Sequence, residues 1–342
     1  MRILLSIHLY FPGHKSGGER YAHNAAKYLQ SKGHHVRVWL HTWNGVQEGA
    51  MYVYDGIEVF PPDCGHNCMQ ELFQWADIIG THLDFSHFSI NKARQLKKPV
   101  FFMAHNTSDV YNDMINRNWH TYVVYNADHA RKELEYKRPA IVLNPAIDPG
   151  MISKERNPKY ITLINLCRNK GVHIFHEIAR RMPDQQFLGI KGSYMKQETS
   201  DLPNVTYWEQ TEDMALVYSL TKILIVPSDY ESWSMCAAEA LANGVPVICS
   251  KTPGLMENCG DAAIYVERPT EIIDMERQVE HPTPEKTVEG YIKAINRLDK
   301  PGSYSYWSKK AIERTEKRVI SEQLQEFENL LTRAVYECKH TT

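Results

Sequence analysis

The chain has 342 residues, of which 43% are hydrophobic and 23% charged, the proportions of a folded globular protein long enough for two domains that each bury a core. With 39 Lys and Arg against 41 Asp and Glu, the formal net charge is -2, which excludes a strongly basic nucleic-acid coat and an acidic tail while leaving room for local patches. No apolar run reaches the ~20 residues that span a bilayer, residues 1–15 lack the pattern of a secretory leader, and the seven cysteines read as reduced thiols, so a cytoplasmic protein is expected.

The first segment, Arg2 to Tyr10, is a short apolar run stopped by Phe11-Pro12-Gly13. A glycine-bearing loop, Gly13 to Gly18, leads into a helix whose Tyr21, Ala25, Tyr28 and Leu29 share one face, and Gly33 sits where a C-terminal cap belongs. Val36 to Thr42 is the next strand, so strand, loop, helix and strand fill about 40 residues, the size of a βαβ crossover. Further strands are predicted at 56–60, 76–82, 99–105, 121–126 and 140–144, alternating with helices at 67–75, 86–97, 109–118 and 127–136. Their continuous apolar character suits a parallel sheet covered on both faces.

Residues 144–160, rich in Pro, Asn and charge, read as a linker. A second set then begins, with strands at 160–166, 186–190, 205–209, 223–228, 245–250 and 263–267 and helices at 171–182, 212–220 and 234–243. From about Glu285 helical periodicity resumes as one long amphipathic helix or two, carrying Ile312, Val319, Leu324, Phe327, Leu330 and Leu331. The expected architecture is α/β, with two Rossmann-like doubly wound parallel-sheet domains at 1–148 and 149–300 facing a central cleft. A helical segment at 301–342 is expected to pack back toward the N-terminal domain. Ligands of such sheets bind outside the carboxyl ends of the strands.

The most informative stretch is 223–250. A strand ends at Pro227-Ser228, a polar loop carries Glu231, and a helix beginning near Trp233-Ser234 carries Glu239 on its second turn. Ala237, Ala238, Ala240 and Ala242 let that helix lie close to the sheet. Its first N–H groups lack internal partners and attract anions, and the two carboxylates can accept hydrogen bonds from sugar hydroxyls. No D-x-D stands at a strand end and no ligand set shows metal spacing, so no metal is expected. Cys64, His66 and Cys68 offer three soft ligands without a fourth. Lys92, Arg94, Lys97, Lys98, Arg131, Lys132, Lys137 and Arg138 make the first half locally basic.

Glu231 and Glu239, with the small-residue helix and the Gly244 to Ile248 segment after it, resemble the E-x(7)-E element of retaining family 4 glycosyltransferases of the GT-B fold. Gly17-Gly18-Glu19 and Lys170-Gly171 resemble the same family. The resemblance implies transfer, with retention and without a metal, from a nucleoside-diphosphate sugar whose nucleotide is uridine or guanosine. It implies that Glu239 holds the ribose and Glu231 the transferred sugar. The amides of Ser232, Trp233, Ser234 and Met235 would cradle sugar and diphosphate, Lys170 would neutralise the diphosphate, and Gly17 and Gly18 would let backbone approach the donor. His105 matches a catalytic histidine near the donor sugar. Two departures are visible. Asn165 stands where the family has an arginine five residues before the lysine, leaving Arg168 as the substitute, and Ser-Trp-Ser at 232–234 replaces Gly-Phe-Gly. The acceptor stays open among a glycan, a lipid-linked sugar and a modified DNA base, and the basic first half is compatible with a peripheral membrane contact. Two other readings of the same fold are a nucleotide-sugar epimerase and a nucleotide-sugar binding protein without turnover.

Overall fold

A computed structural model describes residues 1–42, 50–106, 109–117, 120–134, 136–153, 155–267, 285–318 and 320–340 of the chain. Parts of the segments expected at 109–118, 127–136 and 144–160 (residues 118, 135 and 154), and the apolar position Val319, lie outside these. The chain divides into two compact units, one of Met1–Ala146 with Val319–Thr342 and one of Ile147–Arg318.

The first unit runs β1 (Arg2–Ile7), α1 (Gly17–Ser31), β2 (His35–Leu40), β3 (Tyr52–Tyr54), β4 (Ile57–Phe60), α2 (His66–Trp75), β5 (Ile78–Thr81), α3 (Ser86–Gln95), β6 (Val100–Ala104), α4 (Asn112–Arg117), β7 (Thr121–Tyr125), α5 (Asp128–Leu134) and β8 (Ala140–Val142). Its sheet has the order β3-β4-β2-β1-β5-β6-β7-β8. The pairings are parallel except β3 with β4. β3 is an addition to the expected strands. It is the arm of a hairpin turned by Asp55-Gly56, both at positive φ (46° and 77°), the Asp-Gly chemistry that tight hairpins favour. Ile3, Leu5 and Ile7 face one core, with Tyr21, Ala22 and Leu29 of α1, while Leu4 faces another with Phe73, Ile90 and Phe102. Both faces of β1 are therefore covered, which explains its unbroken apolar run.

The second unit runs β9 (Tyr160–Ile164), α6 (Val172–Arg181), β10 (Phe187–Ile190), β11 (Val205–Trp208), α7 (Met214–Leu220), β12 (Thr221–Val226), α8 (Met235–Ala242), β13 (Val247–Ser250), α9 (Pro253–Cys259), β14 (Ala263–Val266), α10 (Glu285–Leu298) and α11 (Ser303–Glu316). Its parallel sheet has the order β11-β10-β9-β12-β13-β14. α9 is also an addition. Thr252 caps it, accepting from the Leu255 amide at 3.4 Å, and Pro253 occupies its first turn.

The C-terminal region differs from the one or two helices expected. It forms three, because Gly302, in a left-handed conformation (φ 78°), breaks it between α10 and α11. α11 stays with the second unit, whereas α12 (Ile320–His340) belongs to the first and buries Phe327, Leu330 and Leu331 in its core. The cysteines also differ from expectation. Cys64 and Cys68 form a disulfide, their Cα atoms 5.8 Å apart, because the turn at Gly65 (φ 92°) folds Cys64 over the start of α2. The other five are free thiols. No helix among the described residues is long and apolar enough to cross a membrane.

Candidate functional site

Where strand order reverses in an open parallel sheet, two loops diverge and leave a crevice at the carboxyl ends of the strands. In the second unit that point lies between β9 and β12, so the loops leading to α6 and α8 meet there. Gly171, at φ 82°, closes the first loop, and a Cβ on it would run into Pro227 of the second. The Asp229 amide donates to the Asn169 carbonyl at 3.0 Å. This stitching brings the Lys170 ammonium to 2.7 Å from Glu231 Oε1, with the two side chains 18% and 9% exposed. Ser228 Oγ donates to the same oxygen at 2.9 Å. Burial alone would lower the lysine's pKa, but the Glu231 carboxylate outweighs it and holds the ammonium above the ordinary lysine range. The pair is a persistent buried charge pair, whose rupture by removal of either partner is expensive.

α8 starts beside this pair, and no side chain caps it. Ser234, its N-cap, has φ 73°, an uncommon conformation for a residue with a Cβ. Asn258 of α9 holds that turn, donating from Nδ2 to the carbonyls of Trp233 at 2.7 Å and Ser234 at 2.8 Å. The Trp233 ring is buried, with the Arg318 guanidinium 5.6 Å above it. The larger side chain of this Ser-Trp-Ser segment therefore packs inward, while Ser232 and Met235 stay half-buried. Glu239 is buried one helical stretch further on, and Tyr218 of α7 donates to its Oε2 at 2.6 Å. Between the two glutamates, burial and then the Glu231 charge push the Cys236 thiol up to about 12, so it is a neutral group and not a thiolate nucleophile. Arg168 is engaged by Glu198 at 3.1 Å instead of joining Lys170 at Glu231. Asn165, with φ 72°, accepts from Gln197 Nε2 at 2.9 Å.

The first unit reverses between β1 and β5, and its expected site residues gather there. Gly17 and Gly18 open α1, and His105 follows β6. A Cβ on Gly18 would lie 3.2 Å from His105 Nδ1. The His105 ring stacks on buried His82 at 4.6 Å and meets Tyr21 edge-on at 5.2 Å. Burial, then the neighbouring His82, hold the His105 imidazole well below its ordinary pKa, against the opposing Glu19 charge. It is neutral at physiological pH. Glu19 in the first turn of α1 behaves oppositely. Burial would raise it, but hydrogen bonds with His14 and Ser16 and the nearby His82 hold its carboxyl down to about 2.

Of the residues expected at the donor, Lys170 and Glu231 are in contact and Glu239 lies on α8, the helix that follows the Glu231 loop, while Gly17, Gly18 and His105 form their own cluster in the other unit. Sequence patterns placed Ser228 at a strand end without giving it a role, and did not bring out Tyr218, Gln197 or Asn258, which act from other segments. Gly254 was not brought out either, although Thr252-Pro253 is a helix-start signal that could have pointed to it. A Cβ on Gly254 would strike the Glu231 and Ser232 backbone.

Residues 157–280 match the family described as Glycosyl transferases group 1. The O-antigen chain mannosyltransferase B of Escherichia coli is 36% identical over 56 residues, which cover 16% of this chain and 15% of that protein. Among solved structures, the sucrose-phosphate synthase of Thermosynechococcus elongatus superposes with a TM-score of 0.73 at 15% identity, over 98% of this chain and 99% of that one. HepE of Anabaena, in complex with UDP and glucose, gives 0.73 at 14% identity, over 96% and 99%. WaaG, a glycosyltransferase involved in lipopolysaccharide biosynthesis, gives 0.67 at 15% identity, over 96% and 99%. The chain thus has the fold of these solved structures over nearly its whole length, and residues 157–280 match the Glycosyl transferases group 1 family.

Proposed function

We propose that the protein is a retaining, metal-independent transferase that moves a sugar from a nucleoside-diphosphate sugar, held by the second unit, to an acceptor held by the first. The observation that carries this reading is the Lys170–Glu231 pair beside the uncapped start of α8, at the strand-order reversal. As the glycosidic bond to the leaving group breaks, negative charge grows on the phosphate oxygens. A fixed ammonium and the unpartnered N–H groups of a helix start stabilise that charge without reorganising. Glu231 Oε1 is occupied by Lys170 and Ser228, which blunts it as an attacking group. Its role in this reading is to accept hydrogen bonds from sugar hydroxyls, and Glu239, fixed by Tyr218, would accept from the ribose. His105, neutral and half-buried beside Gly18, suits a hydrogen bond to the transferred sugar rather than proton donation to the leaving group. The UDP complexes of HepE support a uridine nucleotide, and guanosine stays the alternative that the resemblance implies. The lipopolysaccharide-related neighbour supports a glycan or lipid-linked acceptor; a cytoplasmic location with peripheral membrane contact is part of the same proposal.

The test is an assay of radiolabelled UDP- and GDP-sugars with candidate acceptors. Glu231→Ala is expected to lower transfer on the order of 100-fold or more, while titration shows nucleoside diphosphate still binding. An undiminished rate in this variant would remove Glu231 from the sugar. Interconversion of the donor sugar without any acceptor would favour the epimerase.

A further inference from the structure

A departing nucleoside diphosphate is a multiply charged anion, yet the proposed donor site has one cation at its centre, and Glu231 already meets that charge at 2.7 Å. Of the basic side chains on the adjoining loops, Arg168 is engaged by Glu198 at 3.1 Å and Lys191 by Glu209 at 2.6 Å, and Lys196 is exposed. A further donor does stand beside Lys170. It is the phenol of Tyr194, from the loop after β10.

That loop is held by one side chain. Gln197 Oε1 accepts from the amides of Leu166 and Gly192, both at 2.7 Å, while its Nε2 donates to Asn165 Oδ1 at 2.9 Å and to the Tyr194 carbonyl at 2.8 Å. All four hydrogen-bonding positions of the amide are used. They tie the Tyr194 loop to the segment that runs from β9 to Lys170. Gly192 fits because a Cβ there would collide with the Asn165 side chain. Tyr194 is thus seated before any ligand arrives, which reduces the ordering that binding must supply. Its neighbour Ser193 has a buried hydroxyl with no hydrogen-bond partner in the structure. Burial pushes the Tyr194 hydroxyl up to about 12, so it keeps its proton at neutral pH and can donate.

We infer that Tyr194 is a donor-binding residue, giving its hydroxyl proton in a hydrogen bond to the diphosphate next to Lys170, so that one ammonium and one phenol grip the leaving group. This rests on the second unit being the donor site. The full chain and its Tyr194→Phe variant are titrated with UDP, GDP and the corresponding monophosphates, with Lys170→Ala in parallel. Phenylalanine keeps the ring and removes only the hydroxyl. The expected result is about a tenfold loss of diphosphate affinity with monophosphate affinity unchanged. If Tyr194→Phe binds diphosphates like the parent chain while Lys170→Ala loses them, the role of Tyr194 is overturned and the donor site stands. An equal loss of mono- and diphosphate would also overturn the phosphate contact. If Lys170→Ala leaves diphosphate binding untouched, the donor-site reading itself fails.

Discussion

Ser234 carries a backbone conformation, φ 73°, that a side chain with a Cβ resists, at a cost of order 1–3 kcal/mol. Its neighbours impose it. Asn258 clamps the carbonyls on either side of its peptide, and the Trp233 ring is buried beneath Arg318. Ser234→Gly should therefore stabilise the protein by roughly 1 kcal/mol, after allowance for the added freedom of the unfolded chain. A rise in the denaturant midpoint of unfolding at constant m-value checks this, and a fall would show that the serine hydroxyl matters more than the strain. Lys170 and Glu231 were legible as single residues through their surroundings in the chain, but their contact was not. It depends on Gly171 fitting under Pro227, and 60 intervening residues of helix and strand separate the partners, a relation no local pattern expresses.

α9 illustrates how a short element can shape a site without supplying a ligand. Its Gly254 lies flush against the Glu231–Ser232 backbone, with no room for another atom, while its Asn258 grips the turn into α8. Gly254→Ala is expected to force that loop outward, destabilising the protein by about 1–3 kcal/mol as overpacking does and weakening nucleoside diphosphate binding. Thermal unfolding and titration in parallel test it. Unchanged binding would mean that the Glu231 loop is not part of the donor site. α8 itself was readable because Ala237, Ala238 and Ala240 can lie close to a sheet, and all three are fully buried. β3 was missed because three residues are too few for a periodic signal, and Gly56, half of the turn that makes it a strand, was read as the start of the strand that follows.

Acid should destabilise both units. Burial, followed by His8 and His82, lowers His41 in the first unit to about 4. Burial, followed by Arg168, lowers His173 in the second to about 4. A histidine whose folded pKa is depressed binds fewer protons than in the unfolded chain, so its contribution is intact above about pH 6.5 and is lost as the pH falls toward 4. Glu19, held down to about 2, adds a loss of the same sign from about pH 4.5 downward. Thermal unfolding between pH 7.5 and 4 should show Tm falling from about pH 6.5, with His41→Gln and His173→Gln each flattening the slope. A flat Tm between pH 6.5 and 5 would contradict the burial of these imidazoles.

The amino-acid order by itself determined the alternating elements, the parallel character of the two sheets and the carboxylate-bearing loop and helix of the second unit. Apolar periodicity, glycine placement and short polar turns are local properties, and the chain displays them directly. Only the tertiary structure decided that Arg168 pairs with Glu198, that Gln197 ties the Tyr194 loop to Asn165, and that the last helix joins the first unit while the one before it stays with the second. Those outcomes depend on which strand ends become neighbours and on what volume remains between them, quantities set by packing across the fold rather than by any stretch of sequence.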